Sequence, residues 1–540
     1  MNFVPLQQAV LLVFIISCTT LERAAAAGVS PEAPGVLVAR SGDRSVLLHW
    51  RTNEMAAATR FNVYRSAPHD SFSRLNKQPL AAPYYADLSV SNTVSYTYAV
   101  RAVGSTGQET ANSSIVHARP RAFQSDDEFL DYLQQTAFDY FWREANPRNG
   151  LVADRAPKAA PSSIAAIGFG LTAMGIGIDH GWITREEAAA RTLVTLRTFA
   201  EGPQGAGASG VIGYKGWFYH FLEMDTALRA WKCELSSIDT ALLLAGILYA
   251  REYFDSAHPE ERQIRALATR IFDGVDWHWM ANQGNALTMG WHPESGYIRR
   301  RWIGYNEASI LYLMGLGASH SPLPASQWKS WTSGYDWRTN YGLAFVHFAP
   351  LFGHQYSHCW IDFRGQADDF FRRKGITYFE NSRRATLAQR EYAIQNPPRY
   401  PGYSSNLWGW TASDGPGFAP YQAYAARGVP PVENDDGTIA PTAPGGSFPF
   451  TPEYSLSALR HLYDVYREKM WTVYGFRDAF NLQAQWFDPD VLGIDQGPML
   501  IMIENHRTGR VWKLFMRAPE IRRGLERAGF KPVPSEVFTP

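Results

Sequence analysis

The chain has 540 residues with 51 basic and 51 acidic side chains, and aromatics make up 14% of it, 18 of them Trp. That balance argues against nucleic-acid binding through a broad basic face and favours a neutral partner, of the kind aromatic faces hold. The length exceeds what one ordinary core fills, so two or more domains are expected, and three cysteines are too few for a disulfide framework or a cysteine-rich metal site.

Residues 1–27 read as an export signal: an apolar run from Ala9 to Ile16 is followed by small residues. The run is too short to span a membrane as a stable anchor. Ala24 to Ala27 before Gly28 suits a signal peptidase, whereas Ile15-Ile-Ser-Cys18 has the form of a lipobox, so a lipid anchor at Cys18 competes with simple cleavage. No Lys or Arg precedes the run, which weakens both readings. The expected location is periplasmic or secreted, and the expected state is a monomer.

From residue 28 to 120 the pattern is short alternating strands, Ser45–Trp50, Arg60–Arg65 and Ser95–Val103, separated by Gly, Asn, Ser and Pro clusters. Such spacing predicts a small all-β sandwich. With its early Trp50, central "FNVYRS" and "YTYAVRAV", the stretch resembles a fibronectin type III domain, an immunoglobulin-like module that serves as a spacer or sits beside carbohydrate sites.

Residues 121–540 change to helical periodicity, beginning with "DDEFLDYL" and "AFDYFW". Thr184-Arg-Glu-Glu187 is a capping box, and Ser236-Ser-Ile-Asp239 opens a helix that is apolar on every side and must be enclosed. Thr184–Ala200 and Glu260–Trp279 are amphipathic instead. Enclosed helices alternating with amphipathic ones predict an inner ring wrapped by an outer ring. Long aromatic, Gly/Pro-rich loops separate the pairs, at 205–219, 291–302, 328–348, 400–418 and 429–450, and loops of that length in a compact domain are usually functional.

No glycine loop for phosphate and no zinc cluster is present, which leaves carboxylates as candidate acid and base. His354 and His358 have the spacing of a helical metal pair but lack the intervening Glu of HExxH, so no metal is expected. Glu234, Asp239, Glu307 and Asp495 stand beside enclosed helices rather than on charged faces. Asn306 reads as a cap with Glu307 as first helical residue, where the helix dipole lowers a carboxyl pKa and burial or a neighbouring carboxylate must outweigh it for a general acid. Asp239 also reads as completing a capping box. Gly497 and Pro498 read as cap and first helical residue, which leaves Asp495 exposed and ionised just outside the helix start, a position that suits a general base. Glu504 and Arg507 read equally as a salt-bridged helix end or as sugar contacts.

Several phrases taken together, "CELSSIDTALLLAG", "GYNEASILYLMGLG", "FGHQYSHCWIDFRG", "NLWGWTASDGP", "YGFRDAFNL" and "GIDQGPMLIMIENHRTG", resemble the glucoamylase-like domain of bacterial β-1,2-glucanases, glycoside hydrolase family 144 and its relatives. The resemblance runs from about Asp126 to Phe530. It implies an (α/α)6 toroid with a cleft at one end and inverting hydrolysis of linear β-1,2-glucan without cofactor or metal. It places the general acid at Glu307 and the base at Asp495, the latter acting through a substrate hydroxyl. Glu234 falls on an acid beside the reacting subsites, and His354, Gln355, His358, Asp362, Trp408 and Asp414 fall in sugar-holding loops, where loop-fixing hydrogen bonds are the competing role. A retaining transglycosylase of cyclic β-1,2-glucan synthesis shares this fold. Hydrolysis of another glucan, a Tyr/His polysaccharide lyase and a non-catalytic glycan-binding protein are the alternatives to be tested.

Overall fold

The computed structural model describes residues 33–52, 59–419, 421–429 and 434–533. The signal segment and Cys18 lie outside the described residues. Among these, the chain forms two compact units that are discontinuous in sequence: one holds 49–83, 96–117 and the residues up to Val38, the other holds 39–48, 84–95 and everything from Ala118 onward.

The first unit carries an antiparallel sheet in the order Ser73–Arg74, Arg60–Ser66, Tyr96–Val103, Val116–Ala118. Asn62 faces Arg101 and Tyr64 faces Ala99 in its central ladder. Tyr98, Val100 and Ala102 recur at the two-residue strand period, and all three are fully enclosed. Another sheet, most of whose residues fall in the second unit, joins Leu37–Gly42, Ser45–Trp50 and Tyr84–Asp87. The expected strands are therefore present at nearly the expected bounds.

The remainder is mainly helical and forms an (α/α)6 toroid. The inner helices are Ile164–Asp179, Ser237–Tyr253, Ser309–Gly317, the turn Phe352–Gln355 continued by Ser357–Cys359, Thr442–Gly446, and Gly493–Thr508. Each is buried over almost its whole length. Around the ring, Ile164–Asp179 packs on Ser237–Tyr253 and Gly493–Thr508, the former on Ser309–Gly317 and the latter on Thr442–Gly446, which meets Phe352–Gln355. The ring closes where Ile310 N–H donates to Ser357 Oγ at 3.1 Å. Each inner helix follows an outer one, in order Asp126–Arg143, Arg185–Glu201, Pro259–Asp273, Ser326–Thr332, Tyr378–Gln395 and Pro452–Met470.

Local chemistry accounts for the boundaries. Thr184 caps its helix reciprocally with Glu187, and Ser236 Oγ accepts the Asp239 N–H, as the sequence predicts. The predicted helix 260–279 is instead two pieces: Pro259–Asp273 stops at Gly274, and Asp276 caps a separate Trp277–Ala281 turn. Two inner-ring members lie in stretches that read as loops. Thr442–Gly446 is built from TAPGG, in which proline and two glycines are poor helix formers, and Phe352–Gln355 is a single turn, so neither leaves a periodic signal.

Glycine sets the closest approach in the ring. A Cβ on Gly246 would lie 2.1 Å from the Gly168 carbonyl oxygen, and one on Gly168 would lie 2.1 Å from that of Leu242. Both obstacles are backbone, so neither helix yields by rotating a side chain. Gly246→Ala is expected to lower stability by about 1–3 kcal/mol despite the better helix propensity of alanine. Equilibrium denaturation measures it, and a gain in stability would contradict this account of the inner-ring contact.

Candidate active site

Short strands deliver polar residues to the starts of the inner helices. Ser162–Ser163 and Leu235–Ser236 each run straight into one, and so does Val491–Leu492. Phe221 pairs with Ser163, Leu492 with Arg155 and Leu235 with Trp291. Backbone bonds complete the assembly: Ile164 N–H donates to the His220 carbonyl at 3.1 Å, His220 N–H to that of Glu234 at 2.9 Å, and Gly493 N–H to that of Asp154 at 2.9 Å. Residues far apart in sequence thereby meet at one end of the ring.

Glu307 lies in the turn before its helix, not within it. Asn306 Oδ1 accepts the Ala308 N–H at 3.0 Å, and the helix starts at Ser309. Its carbonyl accepts a bond from Ser357 Oγ at 2.7 Å, which fixes the turn. The side chain is 9% exposed, and Oε2 has no hydrogen-bond partner among the described residues. Burial, with Asp239 adding repulsion, pushes the carboxyl up to about 7. The opposing dipole is thus outweighed, the condition a general acid requires.

Asp495 differs from expectation. The helix begins at Gly493 after Leu492, so Asp495 stands in its first turn and Pro498 lies inside. Gly497 is no cap; it admits the Phe169 ring, 2.2 Å from where a Cβ would be. Asp495 is 3% exposed rather than open to solvent. Burial pushes its carboxyl up to about 7, with Asp414, Asp488 and Asp154 adding to the rise against a hydrogen bond from Asp478.

Asp478 is the partner that defines this group. It is 1% exposed, and its Oδ2 accepts the Asp414 N–H at 2.6 Å. Asp478 Oδ1 and Asp495 Oδ2 are both buried with no conventional donor, while the two carboxyl groups are hydrogen-bonded to each other. Two carboxylates cannot bond without a proton between them. Burial, then the charge and hydrogen bond of Asp495, hold Asp478 well above the usual carboxylate range. Asp488 is raised to about 8 by burial and by Asp478.

Arg155 answers the remaining negative charge. Its Nη1 lies 2.6 Å from Asp414 Oδ2 and 3.3 Å from Asp490 Oδ2, and its Nε lies 3.3 Å from Asp154 Oδ2. Asp414, Asp488 and Asp490 bring one oxygen each within 4.8 Å of the others, the spacing of a cation site, but two of them already bind this guanidinium.

On the other side, His220 joins the two remaining acids. Its Nδ1 is 2.9 Å from Glu234 Oε1 and its Nε2 is 3.5 Å from Asp239 Oδ2. Burial opposes charge on the ring, but Asp239, Glu234 and Asp154 overcome it and raise the imidazole to about 9. Glu234 is held below its ordinary value despite burial because His220 bonds it. Asp239 also accepts a bond from Ser236 Oγ, so capping and a place in the charged cluster coexist.

The other expected sugar contacts are held elsewhere. His354 is fully buried, donates from Nε2 to the Phe348 carbonyl at 3.0 Å and is driven by burial to about 3. His358, likewise about 3 by burial, bonds Ser382 Oγ through Nε2 at 3.1 Å, so the two imidazoles serve separate structural bonds. Gln355 donates to the Ala443 carbonyl and Ser447 Oγ, and Trp408 is fully enclosed. Asp362 forms a two-pronged pair with Arg364. Glu504 sits about two and a half turns along from Asp495, bonded to His180, Gln134 and Thr508. Arg507 pairs with Asp131. Of these, only Asp414 joins the acidic cluster. Of the two remaining thiols, Cys359 is buried and Cys233 half-buried.

Sequence reasoning missed His220, Asp154, Arg155, Asp478, Asp488, Asp490 and Tyr356. Tyr356 is raised by burial and then by Asp495, Tyr424 and Glu307, so its hydroxyl stands within electrostatic reach of both candidate catalytic groups. Asp478 and Tyr356 are visible only inside the phrases "YGFRDAFNL" and "FGHQYSHCWIDFRG"; the others lie in or beside strands of two residues that carry no periodic signal.

The family model described as "Putative glucoamylase" matches residues 299–519. An exo β-1,2-glucooligosaccharide sophorohydrolase (non-reducing end) of Parabacteroides distasonis is 31% identical over 535 residues, covering 92% of this chain and 70% of that protein. The crystal structure of a β-1,2-glucanase from the same species superposes with a TM-score of 0.83 at 28% identity, over 93% of this chain and 74% of that one. An endo-β-1,2-glucanase from Chitinophaga pinensis, solved with sophorotriose and glucose, gives a TM-score of 0.68 at 29% identity, over 76% of this chain and 99% of that one. With this fold, these phrases and a relative matched along nearly the whole chain, the protein belongs to the glucoamylase-like β-1,2-glucanases, the glycoside hydrolases of family 144 and its relatives.

Proposed function

We propose that the protein hydrolyses linear β-1,2-glucan with inversion, Glu307 acting as general acid and Asp495 as general base. The observation that carries this reading is a pair of enclosed carboxyl groups at the starts of two inner helices, each raised to about 7 by burial. Groups poised there exchange protons with substrate at neutral pH, which ordinary surface carboxylates do not. Glu307 donates its proton to the glycosidic oxygen as the bond to C1 breaks. Asp495 takes a proton from the water attacking the opposite face of C1, directly or through a sugar hydroxyl. The orphan Oε2 of Glu307 suits this step, since it has no other acceptor to serve.

Asp478 acts through Asp495. By donating a hydrogen bond to Asp495 it lowers the pKa of the base and holds it in place. Arg155, bonded to Asp154, Asp414 and Asp490, limits the repulsion that would otherwise keep Asp495 protonated.

Exo release of sophorose is the favoured mode. The relative of that activity matches 92% of this chain, whereas the endo-acting structure matches 76%. The export signal expected in residues 1–27 accords with a polymeric substrate outside the cytoplasm. A time course on long β-1,2-glucan is expected to show sophorose as the sole early product; an early ladder of oligosaccharides would establish endo action instead, and retention of anomeric configuration would replace inversion with the transglycosylase-like course.

Glu307→Gln and Asp495→Asn are each expected to lower kcat/KM by about 10²–10⁴-fold. Glu307 has a raised folded pKa, so the unfolded chain releases its proton first and the group destabilises the fold as pH rises from its ordinary value through about 7. Glu307→Gln is therefore expected to match or exceed the parent in thermal stability above pH 7, which separates loss of chemistry from loss of fold. Full activity in both variants would remove these roles.

The pH profile follows with its sign. The base must be ionised, so kcat/KM falls as pH drops through the Asp495 value; the acid must be protonated, so it falls as pH rises through the Glu307 value. A bell with its maximum near neutrality is expected. Asp478→Ala removes the donor to Asp495, so the acid limb moves up, while Asp478→Asn keeps an N–H donor and a limb closer to that of the parent. Identical acid limbs in all three proteins would show that Asp478 does not set the base.

A further inference from the structure

Trp231 is 67% exposed, although most tryptophans of this chain are buried. Its backbone is left-handed, with φ at 52°, a conformation that a bulky residue adopts at the expense of stability. A residue both strained and exposed is not there for packing.

The segment that presents it is firmly held. Arg229, 7% exposed, donates from Nε to the Cys233 carbonyl at 2.8 Å and from Nη1 to the Ala208 carbonyl at 3.0 Å. It also makes a two-pronged pair with Glu294 at 2.8 and 3.1 Å and lies over the Tyr219 ring. Ala230 N–H donates to the Phe221 carbonyl at 2.9 Å. The backbone that carries the indole is therefore held before any ligand arrives, which reduces the entropy lost on binding.

Contacts lead from it to the charged cluster. The Trp231 and Phe221 rings are 5.2 Å apart, Phe221 stacks on His220 at 4.0 Å, and His220 bonds Glu234 at 2.9 Å. A continuous aromatic surface thus runs outward from the acids and ends on an exposed indole.

We propose that Trp231 is the platform of an outer sugar subsite, stacking its indole on the C–H face of a pyranose ring in a glucan chain whose inner units lie at Glu234 and the catalytic pair. The assignment rests on the glucan-hydrolase reading above. Indole supplies a flat apolar face with one polar edge, which matches a ring that is apolar on its faces and hydroxylated at its rim.

The test uses the full chain carrying Glu307→Gln, so that binding is read without turnover, with β-1,2-linked glucooligosaccharides of increasing length. Adding Trp231→Ala or Trp231→Gly is expected to weaken the longer ligands about tenfold by calorimetry, with a smaller effect on sophorose. Glycine is at ease at this φ, so Trp231→Gly is expected to be at least as thermally stable as Trp231→Ala while losing the same affinity. Equal affinity with and without the indole at every length would overturn the proposal, as would an affinity loss matched by a melting temperature of Trp231→Gly below that of Trp231→Ala. If no β-1,2-linked ligand binds, the functional reading fails on its own. The platform is then judged by the Trp231-dependent fluorescence change with β-1,3-, β-1,4- and α-1,4-linked oligosaccharides: a change with any of them supports it, and none with all of them overturns it.

Discussion

The structure depends on six inner helices that begin at the same end of one ring. Each helix start concentrates unpaired N–H groups and the positive end of a dipole, and such a place tolerates carboxylates. Asp239 and Asp495 occupy first turns, and Glu307 the turn immediately before a third helix. The same ring that buries apolar flanks at Gly168 and Gly246 also removes Glu307 and Asp495 from water. Burial then acts on these two more strongly than the dipoles do, and their carboxyl groups rise instead of falling.

The short strands matter as much as the helices. A pair of residues such as Val491–Leu492 adds little stability, but its pairing with Arg155–Ala156 brings Asp154 and Arg155 to the mouth of the helix that carries Asp495. Likewise the pairing of Phe221 with Ser163 sets His220 beside Glu234 and Asp239. The helices provide the enclosure; the strands decide which charges face one another.

This division explains what the sequence revealed. Caps and enclosed helices are local, so Thr184, Ser236 and the apolar run after Asp495 were legible, as was the alternation of inner and outer helices. The inner helix at Thr442 was not, because proline and glycine in TAPGG deny it a helical signature and only its surroundings keep it wound. The sequence marks Asp495 as a candidate but not its environment: Gly497 and Pro498 imitate a helix start, whereas Gly497 answers to the Phe169 ring. Exposure is a property of neighbours, and here the neighbours come from the far side of the chain. For the same reason His354 and His358, paired in sequence, serve different carbonyl and hydroxyl partners in space.

The acid and base roles proposed for Glu307 and Asp495 require opposite protonation, although both carboxyl groups are raised to about the same value. Their surroundings separate them. Glu307 has Asp239 within electrostatic reach and an oxygen without a donor, so both influences favour its protonated form. At Asp495 the hydrogen bond of Asp478 works against the rise, and Arg155 binds Asp414 and Asp490 of the surrounding cluster, so these neighbours favour its charged form where burial does not. In the proposed mode a bound sugar removes further water from both, and Glu307, which has no carboxyl neighbour bonded to it, responds to that loss more than Asp495. Binding then drives the two values apart in the direction the proposed hydrolysis needs, with Glu307 moving up and Asp495 held by Asp478.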